Sequence, residues 1–144
     1  MVNQNKMKIS FDARSVNEGF ARMAVAAFVA EQNPTLNEIA DMKTAVSEAV
    51  TNAIIHGYES PKQQVELECS VYGDWITVVV TDYGIGIADI EKAKEPFFTT
   101  KPELERSGMG FAFMEAFMDE LEVWSAPGEG TKVTMRKQLG KMEG

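Results

Sequence analysis

Met7 to Phe11 (Met-Lys-Ile-Ser-Phe) alternates apolar and polar residues, the period of a strand with one buried face. Past Asp12 and Ser15, either of which can cap a helix, the period lengthens. Val16 to Glu31 reads as a helix, with Phe20, Met23, Ala24, Ala27 and Phe28 as its apolar positions. Asn33-Pro34-Thr35 ends it. Thr35 followed three residues later by Glu38 has the form of a capping box, which opens a second helix from Leu36 to His56 with Gly57 as its stop. Val65 to Val71 and Trp75 to Thr81 predict two strands joined at Gly73-Asp74. Ile85 to Ser107 mixes Gly, Pro and charge in a long connection, with a helical turn around Ile90 to Lys94. Met109 to Met118 predicts a third helix. Leu121 to Ser125 and Lys132 to Lys137 predict two last strands around the turn Ala126 to Gly130. Strands grouped as hairpins predict a mixed, mostly antiparallel sheet with helices on one face, a two-layer α/β sandwich.

Composition narrows the function classes. With 144 residues and no repeat or linker, residues 1–144 are expected to form one domain. A formal charge of −8 argues against a direct nucleic-acid interface and against an anionic membrane surface, since both recruit clustered Lys and Arg. The N-terminal residues lack an apolar signal region and no run could span a membrane, so a cytoplasmic location is expected. One Cys and one His leave no internal disulfide and no zinc site of several Cys or His ligands. The nine Met are scattered and read as core filler.

Three features could carry chemistry. In the second helix Glu48 and Asn52 are four residues apart and so share a face, among Ala45, Val46, Ala49, Val50, Ala53 and Ile54. Polar groups there need partners, and an Mg²⁺-bound phosphate is one that oxygen ligands suit. A solvated polar stripe is the plainer alternative. Next, Asp82-Tyr-Gly84-Ile-Gly86 follows an apolar strand, where glycines let backbone approach a ligand and a carboxylate can accept from an exocyclic amine. It is no dinucleotide fingerprint, because Asp89 replaces the third glycine. A plain turn is the alternative. Third come Thr99, Thr100 and Lys101, then Arg106-Ser107-Gly108-Met109-Gly110 at a helix start, where free N–H groups and basic side chains suit phosphates. Taken alone, a charged flexible loop with a Gly-capped helix start is the plainer reading. The connection exceeds ordinary loop length, which suits a lid over residues 87–107.

The order of these features resembles the GHKL ATPase superfamily (gyrase, Hsp90, histidine kinase, MutL) and its Bergerat fold. The runs Ser47 to Tyr58 and Phe98 to Phe111, with Phe20-Ala-Arg22 and Val25 to Ala30, look very like the anti-sigma factor F family, the sporulation serine kinases of endospore-forming Bacillota. Ala88 stands where that pattern has a proline. The resemblance implies a kinase using ATP, leaving ADP, with Mg²⁺. Asn52 would ligate the metal and Glu48 would orient or deprotonate the acceptor hydroxyl. Asp82 would bind the adenine amine, Gly84 and Gly86 would shape the pocket, and Thr131 would lie nearby. Thr99, Thr100, Lys101, Arg106, Ser107, Gly108, Met109 and Gly110 would surround the phosphates. His56 is read as a structural residue of the helix end.

It also implies partners: a sporulation sigma factor held in the ATP-bound state, an anti-sigma factor antagonist phosphorylated on serine, and a second copy in a homodimer. The shared partner surface is expected on the first helix, with Glu18 and Arg22 exposed beside its apolar stripe. Two other readings stand beside this one. A detached catalytic domain acting on histidine is opposed by Glu48, a carboxylate suited to a hydroxyl acceptor, and by the lack of a phosphoacceptor helix pair. A non-catalytic nucleotide-dependent binding module would not need Glu48. A related stress-response anti-sigma kinase would share the motifs.

Overall fold

Residues 2–57, 64–84, 86 and 110–141 are described by a computed structural model, His56 and Gly57 by their backbone alone. Along the chain come β1 (Gln4–Asp12), α1 (Asn17–Ala30), α2 (Leu36–Gly57), β2 (Gln64–Tyr72), β3 (Trp75–Asp82), α3 (Gly110–Phe117), β4 (Glu120–Ala126) and β5 (Gly130–Gln138). The element order is the expected one, and the strands run one to three residues longer at their ends than the apolar pattern alone indicates. The turn expected at Ile90 to Lys94, the lid over 87–107 and the His56 side chain lie outside the described residues.

The five strands form one sheet in the order β1-β2-β3-β5-β4, and every neighbouring pair is antiparallel. β5 inserts between β3 and β4, so the connection through α3 carries the chain past one strand position before the last hairpin returns. Alternation along the strands sends Val65, Leu67, Cys69 and Val71 of β2, and Ile76, Val78, Val80 and Asp82 of β3, to one buried face. The other face is polar, with ion pairs between Lys6 and Glu68 at 3.2 Å and between Lys8 and Glu66 at 3.6 Å. α2 lies across β2, β3 and β5, flanked by α1 and α3. Met42, Val46 and Val50 of α2 and Met114 of α3 join the sheet's inner face in one core. Each such side chain contributes about 1.5–3 kcal/mol by leaving water.

The capping box is formed. The Thr35 N–H donates to Glu38 Oε1 at 2.8 Å, and the Glu38 N–H donates to Thr35 Oγ1 at 3.0 Å. The second Glu38 oxygen accepts the Gly140 N–H at 2.7 Å, which fastens the chain after β5 to the start of α2.

α1 departs from expectation in which face it buries. Ala21, Val25, Ala26 and Val29 are buried, whereas Phe20 and Met23 are 57% and 55% exposed. The fully buried positions of α1 are alanines and valines, short side chains that let a helix lie close to its neighbours. Of the larger apolar residues, Phe28 packs partly buried against the core as expected, whereas Phe20 and Met23 face away from it.

Candidate functional site

The inner face of the sheet ends in a row that crosses all five strands. Phe11, Val65, Asp82, Thr131 and Ser125 are successive register partners on β1, β2, β3, β5 and β4. The first two are apolar and the last three polar. Asp82, the last residue of β3, is only 4% exposed and Thr131 only 6%. The Gly84 N–H donates to Asp82 Oδ1 at 2.9 Å, and the Thr131 backbone N–H donates to the same carboxylate. Burial nonetheless pushes the Asp82 carboxyl up from 3.8 to about 6, the two N–H bonds offsetting only part of that cost. A carboxylate held against such a penalty, with oxygen lone pairs to spare, is suited to accept from a ligand's N–H groups.

Two glycines let the backbone close around it. Gly86 has φ +81°, and a Cβ there would stand 2.3 Å from the Ala126 carbonyl oxygen. Gly130 has φ +101°, and a Cβ there would stand 2.1 Å from the Asp82 carbonyl oxygen. No L side chain fits either place, so the turn between β4 and β5 rests directly on the end of β3.

Glu48 and Asn52 lie half-buried on one face of α2, as their spacing predicts. The start of α3 comes to them. A Cβ on Gly110 would stand 2.9 Å from Asn52 Nδ2 and 3.4 Å from Glu48 Oε2. A carboxylate, an amide and the first residue of a helix thus meet in one place. That donor set fits Mg²⁺, which takes one or two protein oxygens and completes its shell with phosphates and water. Among the described residues no group of three or more His, Cys, Asp or Glu forms a metal cage.

On α1, Glu18 and Arg22 do not both project freely. The Glu18 side chain is 21% exposed and accepts a hydrogen bond from the Ser47 hydroxyl, the residue before Glu48. The Arg22 side chain is 41% exposed, with Nη2 3.9 Å from Glu18 Oε2. Its Nε is buried and has no hydrogen-bond partner among the described residues. The expectation of an exposed Glu18 is corrected: its carboxylate is drawn to α2, and Arg22 leans toward it. A Glu–Arg pair at i, i+4 was legible, but the Ser47 link was not.

Of the other expected residues, Thr99, Thr100, Lys101, Arg106, Ser107, Gly108 and Met109 lie outside the described residues. Ser125, which the sequence marks only as the end of a strand, also belongs to the site. It completes the polar row, its hydroxyl 2.9 Å from both the Gly130 carbonyl oxygen and Thr131 Oγ1.

A family model described as a histidine kinase-like ATPase domain matches residues 9–137. An anti-sigma F factor of Clostridium perfringens is 57% identical over 136 residues, 94% of this chain and 97% of that protein. The chain belongs to the anti-sigma F factors. Another anti-sigma F factor, from Oceanobacillus iheyensis, is 53% identical over 139 residues, 96% of this chain and 95% of that one. The fold also matches a crystal structure of the RsbU and RsbW domains of a Mycobacterium tuberculosis protein, with a TM-score of 0.70 at 24% identity, over 94% of this chain and 32% of that chain. An anti-sigma F factor built on this ATPase-type domain is a nucleotide-binding protein, and the polar row, the two glycine contacts and the Glu48–Asn52 face lie within the matched span. No helix among the described residues is long and apolar enough to cross a membrane.

Proposed function

We propose that the chain is an ATP-dependent sigma-factor inhibitor and a protein serine kinase. It holds a sporulation sigma factor while ATP is bound, and it phosphorylates a serine of the antagonist that competes for the same surface. The observation that carries the kinase reading is the meeting of Glu48 and Asn52 with the start of α3 at Gly110. Asp82 would receive the adenine amine, with Gly84, Gly86 and Thr131 around the base. Thr99, Thr100, Lys101, Arg106, Ser107, Gly108, Met109 and Gly110 would surround the phosphates. Asn52 would hold Mg²⁺, which neutralises phosphate charge when bound. The acceptor serine oxygen forms a bond to the γ-phosphorus as the bond to the ADP oxygen breaks, and Glu48 takes the serine proton. Residues 1–144 act as one cytoplasmic unit with a lid over 87–107, paired with a second copy.

The test is Glu48→Gln, which keeps size and reach but removes the base. Single-turnover phosphorylation of the antagonist at saturating Mg·ATP is expected to fall about 10²- to 10⁴-fold. ATP affinity and sigma-factor binding, measured in parallel, are expected to persist. Wild-type transfer by this variant would end the catalytic assignment of Glu48. Transfer to a histidine, or none by the unaltered protein, would favour the sensor-kinase or the non-catalytic reading.

A further inference from the structure

Ser125 ends the polar row on β4. The Ser125 hydroxyl donates its single proton to the Gly130 carbonyl at 2.9 Å, and its oxygen lies 2.9 Å from Thr131 Oγ1. A carbonyl only accepts, so the Ser125 proton goes to Gly130. The bond between the two hydroxyls is then made by the Thr131 proton. Thr131 Oγ1 is left with lone pairs and no proton for anything else.

This has a consequence one strand over. Thr131 and Asp82 are direct register partners on the inner face, where opposed Cβ atoms lie about 4.5–5.5 Å apart. Asp82 already receives N–H bonds from Gly84 and Thr131 and, when ionised, offers only acceptors. The end of the row therefore presents acceptors from two adjacent rungs. A nitrogen bearing two hydrogens can satisfy both, directly or through a water. A carbonyl oxygen in the same place would face lone pairs on each side and leave buried groups unpaired, which is how polar sites reject near-isosteres.

We propose that Ser125 is a positioning residue that fixes the Thr131 hydroxyl as an acceptor and so makes the pocket select a 6-aminopurine over a 6-oxopurine. This rests on the nucleotide reading above and adds the residue that sets base choice. Ser125 need not touch the base. It acts by holding the Thr131 proton out of the pocket, and without it the threonine hydroxyl could rotate and donate to a carbonyl.

The experiment measures affinities for ATP and inosine triphosphate, which differ in the 6-substituent and the N1 proton of the base. The unaltered protein is expected to prefer ATP. In Ser125→Ala the ATP-to-ITP affinity ratio is expected to fall about fivefold, the worth of one net hydrogen bond. Ser125→Thr, which retains a hydroxyl, should keep the ratio. In a Thr131→Val background Ser125→Ala should have no further effect on it, because the coupled group is gone. Thermal unfolding checks that each variant is folded. Should Ser125→Ala not fold, Ser125→Cys takes its place, its thiol being too weak a partner to hold the Thr131 proton. An unmoved ratio in Ser125→Ala or Ser125→Cys, equal losses for both nucleotides, or an undiminished effect in the Thr131→Val background would each overturn the inference. So would a wild type with no preference. A wild type that binds neither nucleotide would instead overturn the nucleotide reading itself.

Discussion

Asp82 shows how one residue sets folding stability against binding. Its neighbours on the inner face of β3 are Val80, Val78 and Ile76, all buried, and the alternation that buries them buries a carboxylate too. A folded-state carboxyl raised from 3.8 to about 6 means that the folded chain binds this proton more tightly than the unfolded chain. The stability this group contributes is fully present below about pH 4 and is lost as pH rises through about 6. Moving this carboxyl from 3.8 to about 6 corresponds to about 3 kcal/mol. Asp82→Asn is therefore expected to raise the stability of the ligand-free protein at pH 7.5 by up to about that amount, with the gap closing below pH 6. The same substitution should weaken ATP binding, since an amide presents a donor where the base also donates. Urea unfolding at pH 5 and 7.5, with nucleotide titration, checks both. Equal stability of the two proteins at pH 7.5 would refute the burial cost. Cys69, on the same face in β2, is pushed up to about 12 by burial and is an unreactive thiol at neutral pH.

At the scale of elements, α2 carries most of the design. Its start is fixed by the Thr35–Glu38 box, its middle packs on three strands, and its second half presents Glu48 and Asn52. Thr35→Ala is expected to cost about 1 kcal/mol, the usual worth of an N-cap. Glu38→Ala is expected to cost more, because it also releases the Gly140 N–H that its second oxygen accepts. Equilibrium unfolding distinguishes the two, and equal losses would mean that the Gly140 link contributes nothing. The box was legible because capping is local: it needs only two residues at fixed spacing. The inward face of α1 was not legible, because both its faces carry apolar residues and periodicity alone ranks Phe20 and Met23 above Ala21 and Val25. Tertiary packing decided between them, burying Ala21 and Val25 and leaving Phe20 and Met23 outside.

For the whole molecule, the exposed Phe20 and Met23 share α1 with Arg22, and Glu18 on the same helix is bonded to Ser47 beside Glu48. Apolar area next to a cation suits a partner with a carboxylate and an apolar contact of its own. Arg22→Glu places a second carboxylate four residues from Glu18 and reverses the charge of that surface. Sigma-factor and antagonist binding are expected to weaken while nucleotide binding stays unchanged. A loss confined to association rate and strongest at low salt would mark a rim contact, whereas a loss of about 2 kcal/mol or more that persists at high salt would mark an anchor. Normal binding of both partners by the variant would place the shared surface elsewhere.

By itself the sequence determined the order of elements, the two-layer class, the capping box, the shared face of Glu48 and Asn52, and the placing of Asp82 at the end of an apolar strand. All of these are local, set by residue period and by spacings of a few positions. Only the tertiary structure decided that β5 lies between β3 and β4. That order is what makes Asp82 and Thr131 direct neighbours across 49 positions of chain, with Ser125 beside Thr131. It likewise decided that Gly110 meets Asn52, and that Glu18 turns inward to Ser47 rather than outward to solvent. These contacts join residues far apart in sequence, and no local pattern encodes them. They follow from strand register and helix separation, which the packing of the whole core sets.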